Sequence, residues 1–552
     1  MEERPQKRQK SGLGLDNRTL LILIGILSAV LVVLLVISGS LLNNNATGDD
    51  TTMQDGSSAG MSSSALPNST GNQQTSSIAT QPSSSVTTQP ATQPATKPPV
   101  TKPVTPSGGN YINVGSGYIA EVIQPDVETF DGGKADDYSH PTNNYLPEGT
   151  VDYCAKDIVY GSSMKYVQLR SGHRVYYDKK VYPFETGGYY HMIKEVKQYE
   201  GWLPDHNEIG VVSLQTVGRH SILTLDCLWK APFNFDTNQT GYADPKSAKD
   251  RDYAVAGNNI TYVDITFCYA TVFTGNVSIP AGHPLFKSAE VIKNDADYTL
   301  RLHLRKAGGF YGWHAYYNDN DQLCFQFLNP AKASAADNKY GADLTGTLIM
   351  LDVGHGGLDG GAAVVHCPSC NVDMMASKLK SGRCPTCKTK AETVCDEAEL
   401  NLALANALKA ELESIGATVV LNRTDDSIIT VNDRQAQMLE ISPDICIAIH
   451  QNSNNSESVR GFFSMYYTPW SQLLAKGIRE HTKTSGVYTR NILQWSAAYF
   501  MCRQPVCPTV LTENGFMSNE KDVADMVNPE VVENKAIAIA HGIADYFLAI
   551  NK

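Results

Sequence analysis

The hydrophobic pattern changes character several times along the chain. Residues 1–18 are polar and basic, with Arg4, Lys7, Arg8, Lys10 and Arg18; from Leu20 to Leu42 the chain is mostly apolar and carries no charge. About 20 such residues, at a rise of 1.5 Å each, cross a bilayer core. No Lys or Arg follows until Lys97, while Asp49 and Asp50 do. The positive-inside rule therefore predicts a cytoplasmic tail over 1–18, a transmembrane helix over 19–42, and everything later outside the membrane. A cleaved signal peptide is the competing expectation, but its apolar core of about 7–15 residues is shorter than this run. Residues 43–108 are Ser, Thr, Gln, Pro, Gly and Asn with almost no large apolar side chains. Such a segment buries too little surface to offset its ordering entropy, which predicts a disordered, extended linker.

From 109 to 340 the pattern alternates with a period of two between turn signals. Met164–Leu169 and His173–Tyr177 flank Ser171-Gly172. Tyr253–Ala256 and Ile260–Thr266 flank Gly257-Asn258-Asn259, and Trp313–Tyr317 and Leu323–Leu328 flank Asn318–Asp321. Strand, short turn and strand predict hairpins, hence a β-rich accessory domain. Its histidines (His191, His206, His220, His283, His303) lack ligand spacing. Its aromatics, Trp202, Trp229 and Trp313 among them, suit either a sugar-binding face or, more simply, a sheet core.

From 345 to 552 apolar runs (Thr347–Val353, Thr418–Asn422, Ile445–Ile449, Phe462–Tyr467, Thr509–Thr512) alternate with helical patterns. The clearest helix is Glu397 to Ile415, with Leu404, Leu408, Leu412 and Ile415 on one face and Gly416 as the stop. Alternating β and α segments predict an α/β sheet covered by helices.

Composition refines this picture only a little. The 552 residues suffice for two or three domains. A formal charge of −12 argues against nucleic-acid binding, which wants a basic surface. Of the twelve cysteines, eight are scattered without a disulfide framework; Cys502 and Cys507 are near enough in sequence to pair.

Chemistry concentrates in the last 200 or so residues. Val353 is followed by Gly354-His355-Gly356-Gly357, so a histidine leaves a strand into a glycine-rich turn. Ile449 is followed by His450-Gln451-Asn452, Glu397 opens the long helix, and Thr512 is followed by Glu513-Asn514-Gly515-Phe516. Strand C-terminal ends are where α/β sheets place their sites. Two histidines and a carboxylate suit a zinc ion with one open position, and a second carboxylate suits proton transfer.

These motifs resemble the zinc-dependent N-acetylmuramoyl-L-alanine amidases of the sporulation and cell-division type. The resemblance rests on Gly354-His355-Gly356-Gly357, Glu397-x-x-x-Asn401-Leu402, Ile449-His450-x-Asn452 and Glu513-x-Gly515-Phe516-x-Ser518-Asn519, with Asn422-Arg423-Thr424-Asp425 and Asp433-Arg434 as secondary matches. It covers roughly residues 346–550. It implies a mixed sheet flanked by helices, His355, Glu397 and His450 as ligands of a catalytic Zn2+, and Glu513 as general base and acid. It also implies peptidoglycan as substrate, with Asn452 and Arg423 as candidate substrate contacts; a structural salt bridge is at least as good a reading of Arg423. Glu399 is the rival to Glu397 as ligand; two residues along a helix turn about 200°, so only one faces the site.

The chain departs from the family between His355 and Glu397. There Cys367-Pro-Ser-Cys370 and Cys384-Pro-Thr-Cys387 form two CxxC knuckles, predicting a zinc-ribbon-like insertion over 366–390 with a second, structural Zn2+. Two disulfides are the alternative in an oxidising exterior. The combined expectation is a single-pass, wall-facing hydrolase, with the β-rich region free to dock on wall polymer, cover the site or bind a protein regulator. An inactive wall-binding protein and a stem-peptide zinc peptidase stand as rival readings.

Overall fold

The computed structural model describes residues 119–130, 141–160, 164–176, 196–199, 201–238, 258–495 and 499–552. The expected cytoplasmic tail, membrane span and linker lie outside the described residues. Among those described, no helix is long and apolar enough to cross a membrane.

The C-terminal sheet is built from β1 (Leu348–Val353), β5 (Thr418–Leu421), β6 (Ile445–Asn452), β7 (Phe462–Tyr466), β8 (Thr489–Trp495) and β9 (Thr509–Phe516), in the order β5-β1-β6-β9-β7-β8. Neighbours are parallel except β7 against β9, so the sheet is mixed. Its long strands are apolar on both faces because both are covered, as central strands of an α/β sheet must be. One face, with Ile349, Leu351, Ile447 and Val510, packs on α1 (Glu397–Glu413), α3 (Gln472–Thr484) and α6 (Pro529–Ile550). Helix α1 starts where the Asp396 side chain accepts the Glu399 amide. It ends at Glu413 rather than Ile415. Gly416, at φ +90°, turns the chain left-handed, and the Ala417 amide folds back onto the Leu412 carbonyl.

The other sheet face shares one core with the β-rich region, and here the two-module picture needs revising. Met350 and Cys446, on the strand positions opposite the helices, join one core with Met438, Trp470, Met501, Val506 and Cys507. That same core contains Phe233, Phe235, Phe310, Trp313, Phe325 and Phe327 of the β-rich region. Phe310 meets Trp470 edge-on at 5.0 Å between ring centroids. The aromatics weighed above as a sugar-binding face thus include Trp313 as core, only 1% exposed. The Trp313 amide donates to the Pro505 carbonyl at 2.9 Å. Gly312 permits that approach: at φ +134°, a Cβ there would sit 2.6 Å from the Pro505 oxygen.

Among the described residues the β-rich region has two lobes. A four-stranded sheet (Phe233–Thr237, Tyr262–Phe267, Tyr298–Leu304, Phe286–Lys293) faces a five-stranded one (Ala270–Thr274, Asn207–Val217, His220–Cys227, Leu323–Leu328, Trp313–Tyr317). A seven-stranded sheet from Ile119 to Tyr199 has its own small core of Ala120, Val122, Val127, Leu146, Leu169 and Val175. The hairpins at Met164–Leu169/Arg174–Tyr176 and Trp313–Tyr317/Leu323–Leu328 form. Of the third expected hairpin, Tyr253–Ala256 lies outside the described residues, and Tyr262–Phe267 pairs with Phe233–Thr237 and Tyr298–Leu304. Ala331, Tyr340, Ala342 and Leu344 already pack in the helical core of the C-terminal sheet, so that body begins ahead of residue 345.

Candidate metal centres and active site

At the C-terminal edge of the sheet, β1 ends in a turn that sets His355 at φ +58°, a left-handed conformation uncommon for a side chain of this size and typical of functional sites. Two buried arginines hold the turn. Arg434 donates to the Asp352 carboxylate at 2.5 Å and to the Val353 and His355 carbonyls at 2.7 and 3.1 Å. Arg423 donates to the Val353, Gly354, Ala398 and Asp425 carbonyls. This corrects the expectation of Arg423 as a substrate contact: the side chain is buried and its donors tie β1 to the start of α1.

His355, Glu397 and His450 come together, their candidate ligand atoms all within 4.8 Å of one another. Glu397 Oε1 lies 3.2 Å from His355 Nε2 and 3.0 Å from His450 Nδ1. Two donors about 2.0–2.1 Å from a tetrahedral zinc stand about 3.3 Å apart, so the donor set fits that ion in type and spacing. The far side of His355 fits too: Nδ1 lies 3.0 Å from Asp359, the carboxylate that typically orients a metal-binding imidazole. Asp359 escaped the sequence reading, although its place four residues after His355, in a turn of glycines, was a signal. Glu397 is held by the Ala362 and Gln451 amides, each at 3.0 Å, while Glu399 points to solvent. Asn401, one turn on, donates to the Gly354 carbonyl at 3.2 Å, which gives the Glu-x-x-x-Asn spacing its physical sense.

The electrostatics suit a cation. Burial works against ionisation of Glu397, but His355 and His450 outweigh it and hold the carboxyl well below the ordinary range. Burial also lowers the basicity of His355, and the Asp359 and Glu397 carboxylates reverse this, raising the imidazole to about 10. A field that binds a proton so firmly also attracts a divalent ion.

Glu513 does not follow its strand; it lies inside β9, paired in register with His450 of β6 and Phe463 of β7. It is 5% exposed, and its buried Oε2 has no hydrogen-bond partner among the described residues. Burial, then the nearby Glu397 charge, push its carboxyl well above the usual carboxylate range. Asn452 sits half-buried at the rim, its side-chain oxygen accepting the Ser453 amide and its carbonyl the Met517 amide.

The insertion folds as a three-stranded sheet, β3-β2-β4, of β2 (Ala363–Cys367), β3 (Val372–Met375) and β4 (Glu392–Asp396). Cys367, Cys370, Cys384 and Cys387 cluster at its outer end, within 4.8 Å of one another. Cys367 and Cys387 sulfurs are 3.3 Å apart and those of Cys370 and Cys384 3.9 Å, and none is in a disulfide. Thiolates about 2.3 Å from a tetrahedral zinc stand about 3.8 Å apart, matching this spacing. Hydrogen bonds from Thr389 lower Cys387 to about 6, toward the thiolate a metal needs. Cys395 packs instead with Val364, Leu400, Met517 and Met526, and Cys502 and Cys507 are buried free thiols.

Residues 349–545 match the family model described as N-acetylmuramoyl-L-alanine amidase. The C-terminal domain belongs to that family. The chain is 24% identical over 221 residues to the amidase LytC of Bacillus subtilis, a match covering 40% of this chain and 39% of that one. It is 29% identical over 218 residues to the probable cell wall amidase LytH of Staphylococcus aureus, covering 39% of this chain and 63% of that one. The chain thus spans less than two thirds of either relative. Among solved structures, the catalytic domain of CwlV from Bacillus (Paenibacillus) polymyxa is 24% identical; the match covers 37% of this chain and 99% of that one, with a TM-score of 0.30. The amidase domain accounts for the helical side of the molecule. The β-rich region lies outside the family match.

Proposed function

We propose that the amidase domain hydrolyses the amide between N-acetylmuramic acid and L-alanine in peptidoglycan. The observation that carries this reading is the convergence of His355, Glu397 and His450 on one point at the sheet edge, with the buried acid Glu513 on the adjoining strand. His355, Glu397 and His450 would hold a Zn2+. When bound, that ion supplies Lewis acidity, lowering the pKa of a water and polarising the scissile carbonyl. Asp359 orients His355, and Asn401 and Arg423 fix the turn that carries it. Glu513 takes the proton of the attacking water and delivers it to the departing alanine nitrogen. Its burial, which favours the protonated carboxyl, suits the second step.

The same reading takes residues 19–42 as a membrane anchor, residues 43–108 as a tether, and the catalytic domain as facing the wall from outside. A protein regulator of the β-rich region belongs to it as well, to be sought by pull-down with residues 109–340 docked in the full chain. The direct test is digestion of purified peptidoglycan by the full chain. New L-alanine amino termini with intact glycan are expected, and none from Glu513→Gln with its metal content unchanged. New reducing sugar ends, or new amino termini only within the stem peptide, overturn the proposal.

A further inference from the structure

The four-cysteine cluster lies at one end of β2 and the catalytic carboxylate at the other. At the inner end, the Ala362 amide donates to Glu397 Oε2 at 3.0 Å and the Ala362 carbonyl accepts the Glu397 amide at 2.8 Å. At the outer end β2 runs into Cys367. Strand β4 leaves the second knuckle, pairs with β2 through Ala363↔Asp396 and Val364↔Cys395, and continues directly into α1, whose first residue is Glu397. Both chain paths into the carboxylate's cradle therefore start at a cysteine knuckle.

Beyond hydrogen bonds and an ion pair from Lys378 to Glu457, little apolar packing orders the outer end. The insertion's apolar packing is confined to its inner half, where Val364 and Cys395 sit on Leu400, Met517 and Met526. Farther out, Val372 and Val394 are 50% and 47% exposed, and the chain from Ser381 to Lys388 has left-handed residues at Ser381, Gly382 and Lys388. A segment this small with so few buried apolar side chains gains much of its order from a bound metal. The inner end leaves no slack: a Cβ on Gly361 would come within 2.6 Å of Glu397 Oε2 and 2.7 Å of His355 Cδ2.

We propose that a zinc ion held by Cys367, Cys370, Cys384 and Cys387 positions Glu397 through β2 and β4, so that filling the cysteine centre raises the affinity of the catalytic centre for its own metal. This rests on Glu397 being a ligand of the catalytic ion, but not on the identity of the bond cleaved. Linkage makes the effect reciprocal: the catalytic ion also tightens the cysteine centre. Glu397 supplies no contact to the cysteines; the insertion acts on it only by fixing the strand end that holds its carboxylate.

The test loads the full chain with Co2+, whose thiolate charge-transfer bands report the cysteine centre apart from the weaker bands of a nitrogen and oxygen centre. Chelator competition then measures each affinity. In Cys384→Ser/Cys387→Ser the charge-transfer bands should vanish, and the second ion should bind about 10–100-fold more weakly, the usual cost of losing support around a metal ligand. Releasing the thiolate-held ion from the unsubstituted chain with an organomercurial should weaken the second site equally, which guards against misfolding of the variant. A second-site affinity unchanged in both experiments overturns the proposal, as does a chain that shows no thiolate bands when loaded. Because both readouts are of metal binding, failure of the amidase reading shows separately, as two coupled ions with no hydrolysis.

Discussion

Replacing Glu128 tests how firmly the β-rich region is built onto the C-terminal domain. Glu128 and Arg503 are 375 residues apart, yet Arg503 Nε lies 3.0 Å from both Glu128 oxygens, with side chains only 4% and 1% exposed. Tyr145 adds a bond to Glu128 at 3.2 Å and another to the Arg503 carbonyl at 2.5 Å. Glu128→Ala removes the carboxylate that neutralises a guanidinium out of reach of water. Breaking such a buried pair from one side costs about 3–5 kcal/mol, mostly for the charge left behind. Removing both charges in Glu128→Leu/Arg503→Met should cost no more than either single change, giving a coupling of about 3 kcal/mol in the double-mutant cycle. Against a total stability of about 5–15 kcal/mol this is a large fraction. Urea unfolding of the full chain by tryptophan fluorescence is the assay, since Trp313 and Trp470 both lie in the shared core. A cost below about 1 kcal/mol for Glu128→Ala, or costs that simply add in the double variant, would refute the reasoning.

Other expectations follow from the same geometry. Gly354→Ala places a Cβ 2.6 Å from His450 Nε2, so bound metal by elemental analysis should fall from about two ions per chain to about one, with the thiolate-held ion retained. Residues 345–552 expressed alone should aggregate or bind a hydrophobic dye. Trp470, Met501 and Val506 lose their cover, each worth about 1.5–3 kcal/mol, and a soluble, monomeric, dye-silent fragment would count against a shared core. Asp126 is buried at φ +48°, and burial, opposed by the Ala315 backbone, raises it from 3.8 to about 8. The folded state therefore holds a proton that the unfolded chain has lost between pH 4 and 8. Its stability falls as pH rises through that window and levels off above about 8. Asp126→Asn, whose residue tolerates the left-handed backbone, should flatten that slope and be the more stable protein at pH 8; equal pH dependence in urea titrations would contradict this.

How far the sequence could be read depended on the range of the interactions involved. Local signals held: apolar runs ending in His355 and His450 became β1 and β6, and Leu404, Leu408 and Leu412 lined the buried face of α1. Glu513 was placed beyond a strand because charge usually ends one. Strand β9 runs on to Phe516 because β7 pairs with it as far as Glu513, β6 pairs with it as far as Phe516, and every residue is buried. For Arg423 the sequence leaves a substrate contact and a structural role open; the Val353, Gly354 and Ala398 carbonyls, which only the fold assembles, take up its donors. The alternate face of β1 and β6, with Met350 and Cys446, was visibly apolar and so had to be covered. Nothing within those strands could say that the core they join extends through Trp470 to Phe310 and Trp313.

That cover changes what the β-rich region is able to do. The face carrying Phe310, Trp313 and Phe327 is committed to the amidase sheet, so any grip on wall polymer must use another surface of the two lobes. The same docking reaches toward catalysis along the chain. Glu128 and Tyr145 hold Arg503, Gly312 and Trp313 hold Pro505, and a few residues later β9 begins and carries Glu513. The insertion braces Glu397 from the opposite direction. The insertion thus contacts Glu397, while the β-rich region contacts the segment that leads into the strand of Glu513, and the two contacts separate experimentally. Weakening the insertion should move metal affinity, whereas weakening the Arg503 contact should lower stability and kcat while both metal affinities stay put. If the interface variants instead shed the catalytic ion, β9 and the ligand set are not independently supported, and this division of labour is wrong.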